Sequence, residues 1–552
     1  MDYQEKYRQW VNEVEDPELK RELAELTDDR EIEDRFYRSM EFGTGGMRGI
    51  IGAGTNRINI YTVRKATQGF AEYILQNGAE AATRGVAIAY DNRRKSAELA
   101  LNTAGVLAAN GIRAYLFESL RPIPELSFAV RKLHCFGGVV ITASHNPPQY
   151  NGYKLYDETG CQLVPRYTDR VIRLVNSVKY ELQVKCLSRE AAGELIQSIG
   201  SEVDEAYYQV VEGIGFEKSA RMSEMKIVFS PQHGTANIPV RRVLGDLGYQ
   251  VIPVEEQCFP DTEFSNTENP NPETEASFAL PLKRAKEEKA ELVIITDPDC
   301  DRLGVAVRYQ GEMRRLTGNQ LGAVMLYYIL SRRKEQGLLP ENGFMFNTIV
   351  TSDLGDVIAE SFGVRTEKTL TGFKFIGDKI HTHEEAGDGV FLFGYEESYG
   401  CLIGDFVRDK DAVQAAVITA EMADYYKRQG KTLYDVLEEI YARYGYYKDF
   451  LTSVEFPGRD GMKQIRQIMQ RLRESEFSEA GVIAVEDYLS AEKQAEGFLK
   501  SDVLRFLLAD GGWAAVRPSG TEPKCKYYYS VRGNSREEAE ERLMQLRNIF
   551  EQ

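Results

Sequence analysis

A strand–helix–strand pattern recurs three times along this chain, and it limits the possible folds more than any other feature. The first copy runs from Gly85-Val86-Ala87-Ile88-Ala89-Tyr90 through the polar loop Asp91-Asn92-Arg93-Arg94. A helical stretch through Leu101 and Val106 follows, and then the strand Gly111-Ile112-Arg113-Ala114-Tyr115-Leu116-Phe117. The second begins at Met225-Lys226-Ile227-Val228-Phe229, turns at Gln232-His233-Gly234-Thr235, and closes on Gly248-Tyr249-Gln250-Val251-Ile252-Pro253-Val254. The third begins at Phe344-Met345-Phe346, turns at Thr351-Ser352, and closes on Gly363-Val364-Arg365-Thr366-Glu367-Lys368-Thr369. The Gly ahead of each closing strand fits a helix C-cap.

Each copy then adds an apolar strand that ends in an unusual polar loop. Val139 to Ile141 lead into Thr142-Ala143-Ser144-His145-Asn146-Pro147-Pro148. Leu292 to Ile295 lead into Asp297-Pro298-Asp299-Cys300-Asp301-Arg302. Val390 to Phe393 lead into Gly394-Tyr395-Glu396-Glu397-Ser398-Tyr399-Gly400. Short apolar runs alternating with helices predict mixed or parallel sheets covered on both faces. Ligands of such sheets bind beyond the strand carboxyl ends, so three matching loops are expected to meet at one cleft.

The ends of the chain do not repeat. The N-terminal forty or so residues are charged and helical, with Asp16-Pro17-Glu18 as a helix start. Tyr444-Gly445-Tyr446-Tyr447 reads as a hinge or linker. Beyond it lie Arg517-Pro518-Ser519-Gly520-Thr521-Glu522-Pro523-Lys524, a strand at Tyr527 to Val531, and an amphipathic helix from Arg536 to Glu551. The expected architecture is α/β: three repeated α/β domains with mixed sheets, plus a C-terminal α+β domain, around a central cleft. The expected bounds are 1–207, 208–322, 323–443 and 444–552.

A net charge of -17 argues against a general binder of nucleic acid or anionic membrane, though local Arg and Lys can still receive a small anion. No apolar run approaches a membrane span, and Met1 to Lys6 lack a signal-peptide pattern. Seven scattered cysteines, with no Cys-x-x-Cys pair, suggest reduced thiols and a cytoplasmic protein.

Asp297, Asp299 and Asp301 alternate after an apolar strand, where they can bind one cation through oxygen. Three carboxylates plus a phosphate oxygen suit Mg²⁺. Ser144, beside His145 and with Lys154 further on, is a candidate nucleophile, because a serine hydroxyl needs a base or cation to assist it. It could instead cap a turn. Arg517, Ser519, Gly520 and Thr521 offer a guanidinium, hydroxyls and an accessible backbone for phosphate, and Lys524 adds a point charge. Glu396 and Ser398 could hold vicinal sugar hydroxyls. Thr371-Gly372-Phe373-Lys374 carries less information by itself. Phe42-Gly43-Thr44-Gly45-Gly46-Met47-Arg48-Gly49 is Gly-rich with an Arg, but no Gly-Lys-Ser/Thr follows, so it is not a Walker loop.

In this order, and over nearly the whole chain, these segments resemble the α-D-phosphohexomutase superfamily of phosphoglucomutases and phosphomannomutases. The length and the Gly-Gly-Met-Arg start are similar to the branch with bacterial phosphoglucomutases and phosphopentomutase-like enzymes. The resemblance implies four domains around a deep cleft. Ser144 would be carried as phosphoserine, and its phosphate would join Asp297, Asp299 and Asp301 around one Mg²⁺ per active site. Glu396 and Ser398 would hold the sugar, with Thr371, Gly372 and Arg48 among the substrate-binding residues. Arg517, Ser519, Gly520, Thr521 and Lys524 would hold the non-reacting phosphate. Arg302 and Lys154 match positions near the phosphoserine.

Two departures stand out. Cys300 occupies the position of the usual Gly between the second and third Asp. Gly400 stands where the mannose- and glucosamine-type branches carry a His, and Lys410 matches the lysine near the sugar in the glucose-type branch. The implied function is interconversion of glucose 1-phosphate and glucose 6-phosphate, with glucose 1,6-bisphosphate as intermediate and activator. The partners would be small sugar phosphates, and the protein a monomer or homodimer. Alternatives are phosphopentomutase or phosphomannomutase activity, a non-catalytic sugar-bisphosphate binder, and a metal-dependent phosphatase that would not need the second phosphate cradle.

Overall fold

The structure, a computed structural model, describes residues 2–43, 45–217, 223–456, 461–475, 477–519 and 524–551. The chain divides into two compact units. One comprises Met1–Arg308, Gly377–Gly387 and Gly400–Asp424; the other comprises Tyr309–Ile376, Asp388–Tyr399 and Tyr425–Gln552. Among the described residues no helix is long and apolar enough to cross a membrane.

The first unit opens with three short helices, Tyr3–Glu13, Pro17–Glu25 and Asp29–Phe36. Each is started by an aspartate, Asp2, Asp16 or Asp28, whose side chain accepts from first-turn N–H groups. Pro17 at the first helical position has no N–H to waste, as expected from the sequence. Trp10 makes this segment part of the core, meeting Phe36 and Tyr61 edge-on at ring-centroid distances of 5.8 and 5.6 Å.

The first sheet comprises β1 (Met47–Ile50), β2 (Val86–Tyr90), β3 (Ala114–Phe117), β4 (Gly137–Ile141), β5 (Tyr150–Asp157) and β6 (Ile196–Ile199), in the order β1-β5-β4-β2-β3-β6. The second contains β7 (Lys226–Ser230), β8 (Gln250–Pro253), β9 (Leu292–Thr296) and β10 (Leu303–Tyr309), with β7 between β8 and β9. In the second unit β11 (Glu312–Leu316) precedes β12 (Gly343–Thr348), β13 (Arg365–Thr369) and β14 (Val390–Tyr395), and β12 lies between the other two. The two-residue β15 (Cys401–Leu402) falls in the first unit.

The threefold pattern is thus a topology. In each repeat the first strand is central and pairs in parallel with both later strands, β2 with β3 and β4, β7 with β8 and β9, β12 with β13 and β14. The polar-loop strand always takes the same flank. β4, β9 and β12 are buried along their whole length, which explains their largely apolar composition.

The three glycines end their helices in the same way. Gly111, Gly248 and Gly363 have φ of 71°, 86° and 75°. Each donates its N–H to a carbonyl three residues back, on Ala108, Gly245 and Glu360. The next residue in each case, Ile112, Tyr249 or Val364, donates to one five back, on Leu107, Leu244 and Ala359. This pair of bonds is a Schellman motif, and it needs the left-handed residue that Gly supplies.

The C-terminal part is an antiparallel sheet of β16 (Tyr446–Glu455), β17 (Val482–Asp487), β18 (Leu504–Leu508), β19 (Trp513–Pro518) and β20 (Lys524–Gly533), in the order β16-β20-β19-β18-β17. The helix Arg536–Phe550 follows, near the expected bounds. The segment read as a linker is not one. The helix Leu433–Tyr444 stops at Gly445, φ 103°, and the next residue begins β16, which pairs with β20 from Tyr446↔Gly533 to Glu455↔Lys524. A tyrosine run beside Gly reads as a joint, yet aromatic residues also favour strands, and tertiary pairing decides.

Two glycine substitutions should act with opposite sign, although a Cβ at either position would meet nothing within 4 Å. Gly111→Ala forces a left-handed alanine and should cost about 1 kcal/mol. Gly245→Ala, inside the helix Asn237–Asp246, should stabilise by about 0.5–1 kcal/mol. Urea midpoints of the two variants check this; equal signs would contradict the assignment of Gly111 as a left-handed cap.

Candidate functional site

The loop after β4 places Ser144 at φ 51°, in the left-handed region, with 3% of its surface exposed. The hydroxyl is therefore not on an open loop. Its N–H donates to Thr142 Oγ1 at 2.8 Å, which folds the turn back on itself. Its Oγ donates to Asp297 Oδ2 at 2.7 Å and lies 3.1 Å from His145 Nδ1. Thr142 Oγ1 in turn donates to Asp299 Oδ2 at 3.1 Å, so a second hydroxyl ties the serine loop to the acidic loop.

The acidic loop after β9 is fixed by backbone bonds from three directions. Thr235 donates through N–H and Oγ1 to Pro298 O at 2.8 and 2.9 Å. Ile123 donates to Asp299 O at 3.0 Å, and Ala412 to Cys300 O at 3.2 Å. Gly234 permits the first of these, since a Cβ there would sit 2.4 Å from Pro298 Cα. Cys300 has φ 59°, so it holds the left-handed turn that glycine adopts more cheaply, and the turn is kept despite the departure noted in the sequence. Asp297 Oδ1 accepts from the N–H groups of Asp301 and Arg302, both at 3.0 Å.

Cations surround this loop within the first unit. The register of β5 beside β4 (Lys154↔Val140) brings Lys154 Nζ to 3.1 Å from Asp299 Oδ2. Lys410 Nζ lies 3.1 Å from Asp301 Oδ2 and 3.2 Å from Asp409 Oδ1. Arg302 pairs with Glu273, and its Nε is 3.9 Å from Asp301 Oδ1. Arg48, on β1, donates to Asn146 Oδ1 at 2.8 Å. Burial, and then the charges of Asp299 and Asp301, push the Asp297 carboxyl well above its ordinary range. Burial opposes the charge of Asp299 as well, but Lys154, the Asp297 hydrogen bond and Lys410 outweigh it and hold its pKa down. The half-buried His145 ring is held neutral, first by lost hydration and then by the nearby charges of Arg302 and Arg48.

The three carboxylates fit a hard divalent cation. Asp297, Asp299 and Asp301 each offer an oxygen within 4.8 Å of the others, and all three are buried. Asp299 Oδ1 and Asp301 Oδ1 are buried without a hydrogen-bond partner, a costly arrangement that a shared cation relieves. All donors are oxygen, with the serine oxygen nearby, a set suited to a hard divalent cation rather than to a softer metal.

The second unit holds the other predicted residues. Glu396, at the end of β14, is buried, and its Oε1 accepts from Gly372 N at 2.9 Å; Gly372 has φ 117°. Thr371 Oγ1 is buried without a hydrogen-bond partner. Glu396 is thus joined to the Thr371-Gly372 turn, a link that neither segment signals alone. Glu397 accepts from Thr348 Oγ1 at 3.2 Å and Thr351 Oγ1 at 3.1 Å, and half-buried Ser398 follows it. Arg517 lies near the end of β19, opposite Lys526, and its Nε is buried without a hydrogen-bond partner. Ser519 N donates to Lys524 O at 2.8 Å, and Lys524 Nζ pairs with Glu455 at 3.0 Å. Gly520 and Thr521 lie outside the described residues.

Several residues around the first-unit site were not singled out from the sequence. Thr142 sits two residues from Ser144, inside the same motif, which was a usable signal. Tyr156 donates to Asp409 Oδ2 at 2.8 Å, orienting the carboxylate beside Lys410. Gly400, noted only as an absent histidine, lies against the Lys410 side chain: a Cβ there would lie 2.0 Å from Lys410 Cδ and 2.7 Å from Cγ, so Lys410 would have to move.

Comparison with known proteins gives a consistent picture. Four family models match in order, described as phosphoglucomutase/phosphomannomutase alpha/beta/alpha domain I at residues 39–181, domain II at 205–311, domain III at 317–444, and the C-terminal domain at 464–549. A phosphoglucomutase of Staphylococcus saprophyticus is 35% identical over 537 residues, 95% of this chain and 96% of its own length. One from Staphylococcus aureus strain MRSA252 is 37% identical over 537 residues, covering 95% of each chain. Among solved structures, parafusin (a phosphoglucomutase) from Paramecium aligns with TM-score 0.68 at 17% identity over 93% of this chain and 95% of its own. A phosphoglucomutase/phosphomannomutase family protein from Burkholderia thailandensis aligns with TM-score 0.68 at 17% identity over 92% and 97%. These two speak to the fold.

The charge of Asp297 is disfavoured by burial and by the neighbouring carboxylates, so Asp297→Asn separates metal binding from folding. The metal-free variant should melt no lower than the wild type. The rise in Tm on adding Mg²⁺, worth about 2.7 kcal/mol at a hundredfold excess over Kd, should shrink or vanish. A variant that melts lower without metal and keeps the full Mg²⁺ response would remove the cation from this site.

Proposed function

Because this chain belongs to the phosphoglucomutase/phosphomannomutase family, we propose that it is a phosphoglucomutase, interconverting glucose 1-phosphate and glucose 6-phosphate through a phosphoserine at Ser144. Its class is that of an isomerase that acts by intramolecular phosphoryl transfer. The observation that carries the reading is the meeting of Ser144 Oγ with Asp297 at 2.7 Å, beside two more carboxylates with unsatisfied oxygens.

In this reading the phosphoryl group of phosphoserine 144 passes to the free hydroxyl of a sugar monophosphate. The P–O bond to Ser144 Oγ breaks and one to the sugar oxygen forms, and the proton lost by the sugar hydroxyl is balanced by the one that Ser144 Oγ gains. The resulting glucose 1,6-bisphosphate returns its other phosphoryl group to Ser144, which releases the isomeric monophosphate. Mg²⁺, when bound by Asp297, Asp299 and Asp301, supplies a Lewis acid that offsets charge on the transferring group. Lys154, Lys410 and Arg302 add fixed positive charge around Ser144, and His145, held neutral, presents Nδ1 to the serine oxygen. Glu396 and Ser398, with Thr371 and Gly372, are assigned to sugar hydroxyls. Arg517, Ser519, Gly520, Thr521 and Lys524 are assigned to the non-reacting phosphate, and Arg48 to substrate contact. The glucose preference is supported by Gly400, whose missing side chain leaves the space that Lys410 fills. None of the seven cysteines is in a disulfide, which fits a cytoplasmic protein.

A coupled assay on glucose, mannose, glucosamine and ribose 1-phosphates, with catalytic glucose 1,6-bisphosphate, should give the highest kcat/KM for glucose. Intact mass should show one phosphate, absent from an inactive but folded Ser144→Ala. Full turnover by Ser144→Ala would end the covalent reading.

Gly400→Ala should displace Lys410 and lower kcat by about 10²-fold, since a misplacement near 1 Å is enough. Lys410→Met should lower it similarly. The double variant should be no worse than either, because both remove the same group. Additive losses would mean that Gly400 acts independently of Lys410.

A further inference from the structure

The Asp91-Asn92-Arg93-Arg94 loop, noted in the sequence only as the first polar turn of the repeat, contains a fully buried cation whose hydrogen bonds all go to backbone around Ser144. The Arg93 side chain has no exposed surface. Its Nη1 donates to Pro147 O at 2.8 Å and Tyr150 O at 3.0 Å, and its Nη2 donates to Ser144 O and Asn146 O. One guanidinium thus binds three backbone carbonyls of the serine loop and one at the start of β5. Its Nε lies 3.4 Å from Asp91 Oδ2, and the Asp91 carboxylate is itself fixed by Ser96 Oγ at 2.7 Å and by Arg93 N at 3.0 Å. Arg93 also lies over the Phe264 ring, 5.0 Å from its centre.

Its neighbours extend the connection. Asn92 Nδ2 donates to Asp261 O at 2.8 Å, and Arg94 pairs with Glu263. Phe264, Asp261 and Glu263 come from the segment that follows β8. The loop therefore joins the serine turn of the first sheet to the second sheet, which carries Asp297. A residue at φ 51° is held only when its surroundings over-determine it. The four carbonyl bonds lie on the backbone side of the turn and leave Oγ to Asp297. Buried without exposure, the cation also adds positive charge within reach of Asp297 and Asp299.

We propose that Arg93 is a positioning residue for phosphoryl transfer at Ser144: its planar fork locks the serine turn in its left-handed form and fixes Oγ against the acidic loop. This inference rests on the phosphoserine reading above. It requires the geometry of the fork and not charge alone, because a lysine's three N–H donors sit on one nitrogen and cannot span four carbonyls.

The test uses full-length protein with Ser144 dephosphorylated, and follows its rephosphorylation by glucose 1,6-bisphosphate through intact mass. Steady-state kcat, KM and Tm are measured on the same samples. Arg93→Lys should slow rephosphorylation and kcat together by about 10²-fold while KM changes little, since the loss is of alignment and not of substrate contact. Wild-type rates in Arg93→Lys, or a lower Tm with unchanged rates per folded molecule, would overturn the proposal. Should Arg93→Lys fail to fold, Asp91→Asn serves in its place. It keeps an acceptor for Ser96 and Arg93 N but removes the counter-charge, and should slow rephosphorylation about 10-fold with Tm nearly unchanged. Unchanged rephosphorylation there would equally overturn it. A wild-type enzyme that turns over without ever carrying phosphate on Ser144 would instead defeat the phosphoserine reading, and this inference with it.

Discussion

Three carboxylates buried within 4.8 Å of one another repel, and the first unit is built around that repulsion. Lys154 and Lys410 answer two of them directly, and two backbone N–H groups and the Ser144 hydroxyl answer the third. Each answer makes demands further out. Lys154 depends on the register of β5 against β4. Lys410 lies against Gly400 and beside Asp409, which Tyr156 orients. The acidic loop keeps its shape because Thr235, Ile123 and Ala412 bind its carbonyls from separate elements. The arrangement still leaves Asp299 Oδ1 and Asp301 Oδ1 without a hydrogen-bond partner, and a shared cation would satisfy both.

Much of this was legible in the sequence because the signals are local. A strand, a tight polar turn and a glycine-capped helix are each specified within a few residues, so the repeat, its glycines and the three polar loops could be read directly. Ser144 and the aspartates stood out for the same reason. The rest depends on segments that meet only after folding. Arg93 is 51 residues from Ser144, and Tyr156 is 253 from Asp409. Nothing in either local sequence announces the other. Burial of Ser144 was likewise hidden, since loop composition predicts exposure and only tertiary packing removes it. Tyr446 and Tyr447 were misread because their strand is fixed by a partner, β20, far along the chain.

The second unit answers buried charge differently. Lys368 lies 2.9 Å from Asp353, 2.8 Å from Asp356 and 3.1 Å from Asn347 Oδ1, and Arg505 pairs with Asp353 and Glu486 while lying over Trp513. Such a network contributes little net stability, because desolvation offsets attraction, but breaking one member is expensive. It joins β13, the start of the helix Leu354–Ser361, β17 and β18. Its value is therefore better understood as fixing how these elements register than as adding to the free energy of folding.

The three matched helix caps have a consequence for how the chain folds. Each closes on carbonyls no more than five residues away, and each central strand finds both parallel partners within its own repeat. The early pairings of one repeat therefore need nothing from the others, which keeps the loop-closure entropy of each step small. A chain leaving the ribosome can form β2, β3 and β4 while the residues of β12 are still unmade. The acidic loop, by contrast, needs Ile123 from the first repeat and Ala412 from far downstream, so its final geometry must be among the last features to set.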